Sequence, residues 1–309
     1  MKIGLIDLDG HNFPNIPLMK LSAWHKAKGD SVEWYKPLLS GYLDIVYCAK
    51  VFSFTPDYAF PITADRVIKG GTGYHIELID GKEVWTGKDT TLPDEIEHIY
   101  PDYDLYGIKD KAYGFLSRGC PRGCFFCHVK SKEGRKSYKT ADLSEFWNGQ
   151  KYIEICDQNI LACPDAENLL DQLIASKAKV EINQGLDARL LTENIIEKLC
   201  NIRMKIIHFA WDRYQDGEKI LPNLRNFCEK SKLWKHNIVV YTLTNYDTTL
   251  EQDLDRIYKL RDIGVSPYVM IYDKLHCDPV YNDLQRWVNA SPIFWSTPKF
   301  EDYKCQKQR

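Results

Sequence analysis

Three cysteines in one short loop are the residues of this chain best suited to metal chemistry. Cys120, Cys124 and Cys127 have the spacing C-x3-C-x2-C, and their loop follows an apolar, aromatic segment at 113–116. Three thiolates can hold three irons of a cubane 4Fe-4S cluster and leave the fourth iron open for chemistry. Two other interpretations stay open. One is a zinc site completed by His128, although adjacent residues seldom reach the same tetrahedral ion, and the other is three thiols without a metal.

Polar side chains also follow three of the predicted strands. In chain order they are Asp157, Gln158 and Asn159, then Asn183, Gln184 and Arg189, then Asp212. Carboxylate and amide oxygens can accept hydrogen bonds from an ammonium group, and an arginine can pair with a carboxylate through its planar fork. The alternatives are a turn capped by Asp157 and Asn159, and an arginine exposed on the surface.

Strand–helix units must position these side chains. Apolar, strand-like runs begin near residues 112, 151, 179, 206, 237 and 267, at intervals that fit a strand, a crossover helix and loops. The clearest helix repeats Leu and Ile over 250–263, with Thr248 or Thr249 as its cap and Gly264 at its end. Six such units predict a partial parallel barrel. Catalytic groups, the cysteine loop among them, then cluster at the carboxyl ends of its strands.

The first 110 residues predict a small α/β domain. A strand at 2–6 leads through a loop into a helix opened by Pro17 and closed by Gly29, and later strands end in the glycine turn 70–73. This order favours a parallel sheet of Rossmann type. The proline- and aromatic-rich segment 92–106 is interpreted as a linker. The glycine turn permits close approach of a phosphate or nucleotide, and a turn without a ligand is the alternative.

Composition and charge indicate which partners and which cellular compartment to expect. A net charge of −2 provides no overall attraction to nucleic acid, so a nucleic-acid partner is not indicated. A local basic run is interpreted as a solvated loop, with phosphate binding as the alternative: Lys130, Lys132, Arg135, Lys136 and Lys139. The sequence contains no apolar run of membrane-spanning length and no secretory signal pattern, so we expect no membrane contact. Its ten cysteines therefore favour reduced thiols in the cytoplasm.

The cysteine loop, with aromatic Phe126 before the last cysteine, resembles that of the radical S-adenosylmethionine (SAM) superfamily. The resemblance implies a 4Fe-4S cluster whose open iron chelates SAM, reductive cleavage of SAM, and a 5′-deoxyadenosyl radical that abstracts hydrogen from a substrate. It also implies an external electron donor such as flavodoxin or ferredoxin. By the same resemblance, SAM contacts fall on Asp157, Gln158 and Asn159 for its amino group, Arg189 for its carboxylate, Asn183 and Gln184 for ribose or substrate, and Asp212 nearby.

The first domain resembles the cobalamin-binding-like domain that precedes many radical SAM barrels. By this resemblance Gly70, Gly71 and Gly73 are cofactor-binding residues, and cobalamin-dependent methylation is a specific variant of the activity. Asp9-x-His11 resembles part of the Asp-x-His-x-x-Gly cobalamin motif, but Pro14 stands where the motif has its glycine. This departure puts ligation by the histidine in doubt.

The expected fold is therefore α/β, with a small Rossmann-like domain over 1–110 and a partial (β/α)6 radical SAM barrel over 111–309. The expected function is radical modification of an unidentified small-molecule or peptide substrate. The alternative is a non-catalytic iron-sulfur or cobalamin-binding protein that acts as a sensor or electron carrier. Release of 5′-deoxyadenosine distinguishes the two.

Overall fold

The computed structural model describes residues 1–10, 13–79, 82–87 and 91–304. The chain divides into two compact units, Met1–Glu154 and Ile155–Arg309. The sequence predicts a boundary near residue 110 between two types of fold, whereas the compact units divide after Glu154. The predicted boundary stays a prediction. Both units mix helices with parallel sheets, so the expected α/β class is confirmed at this level.

The first unit alternates strands with short helices. Its elements are β1 Lys2–Asp7, α1 Ile16–Ala27, β2 Ser31–Trp34, β3 Leu43–Ala49, β4 Ala64–Gly70, β5 Ile76–Ile79, β6 Lys82–Trp85, α2 Asp94–Glu97, β7 Lys111–Gly114, β8 Ser117–Arg118, α3 Val129–Lys132, β9 Tyr138–Lys139 and β10 Tyr152–Ile155, which ends at the division. β5 pairs with β6, and β8 pairs with β9, each as an antiparallel ladder.

A parallel four-stranded sheet forms the centre of the first unit. Its strand order is β2-β1-β3-β4, with Ile3 opposite Ile45 on the neighbouring strand. α1 begins where the Asn15 side chain accepts a hydrogen bond from the Leu18 amide at 3.1 Å, and its apolar side packs on this sheet. The predicted strand–helix order and parallel sheet are therefore confirmed for this part of the chain.

The segment 92–106, which the sequence predicts to be a linker, is packed into the first unit. Ile96 is buried in the same apolar cluster as the central strands. The Trp34 indole donates a hydrogen bond to the Leu105 carbonyl at 3.1 Å, and the Asp102 amide donates to the Met19 carbonyl at 3.1 Å. Contacts at both ends of the segment thus make it part of the core rather than a mobile connection.

The second unit continues the alternation with longer helices. Its elements are α4 Ala166–Ser176, β11 Lys179–Ile182, β12 Leu186–Asp187, α5 Glu193–Asn201, β13 Ile207–Ala210, α6 Gly217–Lys230, β14 Ile238–Thr244, α7 Leu250–Ile263, β15 Ser266–Ile271, α8 Pro279–Asn289 and α9 Ser291–Ser296. The predicted strand starts lie within one or two residues of the observed ones and are confirmed.

β12, β13, β14 and β15 form a parallel sheet in that order, with one helix between each pair of neighbours. α7 begins at Thr249, which forms a capping box with Gln252, and ends at Gly264 with φ 88°. The predicted helix and both of its end signals are confirmed. None of the described helices combines the length and the apolar character needed to cross a membrane.

Candidate functional site

The cysteine loop lies between two strands that pair with each other. β8 and β9 place Ser117 opposite Lys139, so the loop leaves and returns at one short ladder. Within it Cys120, Cys124 and Cys127 are all half-buried. The Cys127 amide donates a hydrogen bond to the Cys124 carbonyl at 3.2 Å, which folds the last two cysteines into one turn. The predicted loop after a strand is therefore present.

The first glycine of the loop is required by the way the chain returns. Gly119 has φ 80°, and a Cβ at this position would lie 2.1 Å from the Lys136 carbonyl oxygen. Next to it, Arg118 holds Glu133 at 3.1 Å and Glu97 at 3.3 Å. Both ends of the loop are thus tied to their surroundings before any ligand is considered.

Contacts from the β5–β6 hairpin and the glycine turn hold the segment after the third cysteine. The Trp85 amide donates to the Ser131 hydroxyl at 2.9 Å, and Lys132 Nζ donates to the Thr72 hydroxyl at 2.8 Å. The Nδ1 atom of His128 lies 3.0 Å from a carboxylate oxygen of Glu83. The structure therefore brings two predicted features together, the cysteine loop and the glycine turn. It also brings one ring nitrogen of His128 to Glu83, which leaves the other ring nitrogen for a ligand, so the zinc interpretation stays open.

The basic run is not uniformly solvated. Lys132 is half-buried, and burial lowers its pKa while the carboxylate of Glu133 opposes that change. Lys139 pairs with Asp142 at 2.6 Å. The interpretation of a solvated loop is wrong for Lys132, whose ammonium group supports the glycine turn.

Two of the three candidate glycines pack against the chain itself. A Cβ on Gly71, which has φ 99°, would lie 2.4 Å from the Lys50 carbonyl oxygen, and one on Gly73 would lie 2.5 Å from that of Phe52. A Cβ on Gly70 would meet no atom within 4 Å among the described residues. Close backbone packing therefore explains Gly71 and Gly73, and only Gly70 has room beside it for a ligand.

The candidate cobalamin motif is only partly described. The Asp9 carboxylate accepts hydrogen bonds from the Val51 amide and the Thr55 hydroxyl, so it joins the ends of β1 and β3. His11 lies outside the described residues. Asp9 thus has a structural partner on the chain, and the motif as a whole stays a prediction.

The donor set of the cysteine loop suits iron. Three sulfur ligands of one loop are the soft donors that iron-sulfur clusters use, and their half-buried positions leave access for a ligand. Among the described residues, no three His, Cys, Asp or Glu side chains are gathered in a metal-binding arrangement. The residue types fit an iron-sulfur cluster, but the three sulfurs are not gathered around a common point in this structure.

Arg189, in the second unit, is held by two carboxylates. Its Nε donates to Asp187 Oδ1 at 2.7 Å, its Nη2 donates to Asp187 Oδ2 at 3.2 Å, and its Nη1 donates to Asp216. The planar fork expected to bind the SAM carboxylate is thus occupied by the chain. Arg189 is not the exposed surface arginine of the alternative interpretation either, since it lies in a half-buried ion-pair network.

Asp212 lies just past the end of β13 and has an altered acidity. Burial raises the pKa of its carboxyl to about 6, and the positive charges of Arg256 and Arg189 oppose this change. A carboxyl group whose pKa is raised at a strand end is a candidate for a functional role. The environment of Asp212 thus differs from that of a surface carboxylate.

The sequence did not predict a buried ion pair that lies near these strand ends. Arg256 and Asp253 are fully buried and form an ion pair on α7. Arg256 Nη1 donates to the carbonyls of Trp211 at 2.6 Å and Asp212 at 3.0 Å, and its Nη2 donates to that of Leu243 at 2.5 Å. The one available signal was an Asp and an Arg three residues apart inside the apolar repeat of the helix.

The other predicted strand-end residues divide into buried and exposed sets. Asp157 and Asn159 are buried, and the enclosed Oε1 atom of Gln158 has no hydrogen-bond partner among the described residues. Asn183 and Gln184 are exposed. An enclosed amide oxygen of this kind can accept a hydrogen bond from a ligand.

No protein-family model matches this sequence, and no curated protein matches it. The resemblance to the radical SAM superfamily therefore rests on this chain's own residues, above all those of the cysteine loop. What the chain does has to be argued from those residues and their contacts.

Proposed function

We propose that this chain is a radical SAM enzyme in which Cys120, Cys124 and Cys127 hold a 4Fe-4S cluster. One observation carries the proposal: three half-buried sulfurs with C-x3-C-x2-C spacing lie in a loop closed by the β8–β9 ladder. When bound, the cluster supplies the electron that splits SAM into methionine and a 5′-deoxyadenosyl radical for hydrogen abstraction. The substrate is a small molecule or a peptide.

The chain's own residues prepare the loop for this role. The guanidinium group of Arg135 lies against Gly123, inside the C-x3-C segment, and places a positive charge beside the loop. Phe126, next to Cys127 in the chain, is half-buried. The contacts of Trp85 and Thr72 fix the chain just after the third cysteine.

SAM binding is assigned to the strand ends of the second unit. Asp157, Gln158 and Asn159 offer acceptors for its ammonium group, and the enclosed Oε1 of Gln158 supports this assignment. Asp212 contributes a carboxyl group of altered acidity. Arg189 binds the SAM carboxylate only if that group takes the place of Asp216, its partner in the present structure.

The finer fold belongs to the same proposal. We expect a partial (β/α)6 barrel over 111–309 after a Rossmann-like domain over 1–110, and the parallel sheets with intervening helices support it. We expect the thiols to be reduced, the electron to come from an external donor such as flavodoxin or ferredoxin, and the enzyme to be cytoplasmic. Cobalamin-dependent methylation is the specific variant, with Gly70 as the glycine that has room for a ligand. A corrin spectrum that survives gel filtration tests it.

The test is anaerobic reconstitution of the full-length chain with iron and sulfide, followed by SAM and dithionite. We expect about four irons per chain and release of 5′-deoxyadenosine. Cys124→Ala should lose both. Cys200→Ala is the matched control, because it removes a half-buried thiol on α5, outside the loop, and should keep both.

The outcomes separate the proposal from its alternatives. A chain that binds the cluster but never releases 5′-deoxyadenosine is the sensor or electron carrier, and the enzyme proposal is then wrong. Purified protein with one zinc and no iron after reconstitution would contradict the cluster itself. Equal iron loss in Cys200→Ala and Cys124→Ala would show that iron binds to thiols in general rather than to this loop.

A further inference from the structure

The parallel sheet of the second unit has one covered face and one open face. Side chains alternate between the two faces along each strand. On the covered face, Phe209 of β13 packs edge-to-face with Phe227 of α6 at 5.2 Å, and Val269 of β15 is buried among α7 and α8. On the open face, Tyr268 is 44% exposed and Met270 is 46% exposed. We name as the aromatic face the open-side residues His208, Tyr241, Tyr268 and Met270.

The ring of Tyr241 is fixed in place across the sheet. Its hydroxyl donates to the Asn183 carbonyl at 3.0 Å, and the ring stacks on His208 at 5.1 Å with an interplanar angle of 11°. A Cβ on Gly185 would lie 2.8 Å from Ala210 Cβ and 3.1 Å from Tyr241 Cδ2. Gly185, just before β12, and Ala210 of β13 therefore leave room for this ring, and its orientation is set before any ligand arrives.

Tyr268 adds a second wall. Its ring centroid lies 5.7 Å from that of Tyr241, and the two ring planes meet at 72°. Two nearly perpendicular tyrosines, with an exposed thioether two residues further along β15, form an apolar corner. Because the side chains are held by their contacts, a ligand that enters this corner loses little of its binding energy to ordering them.

The charges around the aromatic face are predominantly negative. Burial lowers the pKa of His208, so its imidazole is neutral at neutral pH, and the nearby charge acting on it is the carboxylate of Glu181. Asp187 lies opposite Ala210 in the register of β12 and β13, on the same face. The positive charge of Arg189 is offset by Asp187 and by Asp216, and that of Arg256 by Asp253.

We propose that the aromatic face binds an alkylated ammonium group, and that the substrate of the enzyme is an N-alkylated amine. Aromatic faces carry negative electrostatic potential and attract cations, and the surrounding carboxylates add to this attraction. An alkylated ammonium group is more weakly hydrated than a primary one, so it gives up less on leaving water for an apolar corner. The substrate assignment rests on the proposed function, whereas the binding of the cation does not.

The test uses the full-length chain without cluster or SAM, and two probes of equal shape. Choline carries a trimethylammonium group, and 3,3-dimethyl-1-butanol is its neutral isostere. The chain has four methionines, so methyl-labelled protein gives a simple spectrum in which Met270 reports on the corner. We expect choline to shift the Met270 methyl signal and to bind about tenfold more tightly than the isostere.

Variants identify the binding surface. Tyr268→Leu should weaken choline binding about tenfold, while Tyr268→Phe, which keeps the aromatic face, should bind it nearly as well as the wild type. Tyr42→Leu is the matched control, because it removes a tyrosine that is 60% exposed in the first unit, and it should have no effect.

Three results would overturn the proposal: equal affinity for choline and its isostere, an unmoved Met270 signal, or equal weakening by Tyr42→Leu and Tyr268→Leu. Displacement of choline by SAM, at the SAM concentration that saturates the chain, would assign the corner to SAM and refute the substrate class. Choline binding with no release of 5′-deoxyadenosine by the reconstituted protein would refute the proposed function and leave the cation site standing.

Discussion

Removal of the buried guanidinium of Arg256 is the perturbation whose size the structure best defines. In Arg256→Met, Asp253 keeps a buried carboxylate whose remaining hydrogen bond comes from the Asn245 amide at 3.2 Å. The carbonyls of Trp211, Asp212 and Leu243 lose the donor that joins them. Breaking a buried ion pair by removing one partner costs about 3–5 kcal/mol. We expect a loss in the free energy of unfolding of that size, measured by urea denaturation.

A second ion pair of the same spacing supplies the matched control. Arg286 and Asp283 on α8 also lie three residues apart, at 3.2 Å, but their side chains are 62% and 41% exposed. Exposed pairs of this kind contribute about 0–1 kcal/mol. Arg286→Met should therefore change the free energy of unfolding by less than about 1 kcal/mol. Sequence spacing is equal in the two variants, so the difference between them reports the burial of the pair together with the carbonyls that Arg256 binds.

A double-mutant cycle separates the charge from the carbonyls. Arg256→Met combined with Asp253→Leu removes both buried charges, so no uncompensated carboxylate remains, and the remaining cost is about 1–3 kcal/mol for each of the three carbonyls that stays unsatisfied. The double variant should thus be more stable than Arg256→Met alone. If the single variant loses less than about 1 kcal/mol, or if the two single losses simply add, then Arg256 does not hold the strand ends as described.

Two further predictions concern Asp212 and the glycine turn. The folded pKa of Asp212, about 6, lies above its ordinary 3.8. Ionisation of Asp212 therefore destabilises the folded state, and this loss grows as pH rises from about 4 to 6 and is complete above about 6. Asp212→Asn should therefore stabilise the protein by about 1–3 kcal/mol near pH 7.5 and hardly at all near pH 3.5, and an equal effect at both pH values in urea denaturation would contradict this. In thermal unfolding, Gly73→Ala should cost about 1–3 kcal/mol because its Cβ meets the Phe52 carbonyl oxygen, whereas Gly70→Ala should be tolerated, and equal melting temperatures would refute the packing explanation.

Local signals in the sequence predicted local structure well. α7 was bounded correctly because Thr249, the apolar repeat and Gly264 all act within a few residues of the helix. The strand starts were predicted for the same reason, since apolar runs and turn residues are neighbours in sequence. The cysteine loop was likewise placed after a strand by the residues on either side of it.

Long-range contacts were not predictable in the same way. The partner of Arg189 is Asp216, on the far side of a helix and a strand in sequence, and no local pattern joins them. The carbonyls that hold Arg256 come from β14 and from the residues just past the end of β13. Segment 92–106 has the composition of a linker, yet Ile96 is buried. A single apolar residue in such a segment does not reveal from the sequence which surface will cover it. Side chains that bridge distant segments carry no periodic signal.

The contacts around α3 give the glycine turn a role that involves no cofactor. Lys132 donates a hydrogen bond to the Thr72 hydroxyl, and the Trp85 amide donates one to the Ser131 hydroxyl. Residues of the glycine turn and of the hairpin after it therefore support the segment that follows Cys127. Gly71 and Gly73 allow the turn to lie directly on the backbone at Lys50 and Phe52, beside the end of β3. The parallel sheet is thus connected through the turn to the third cysteine.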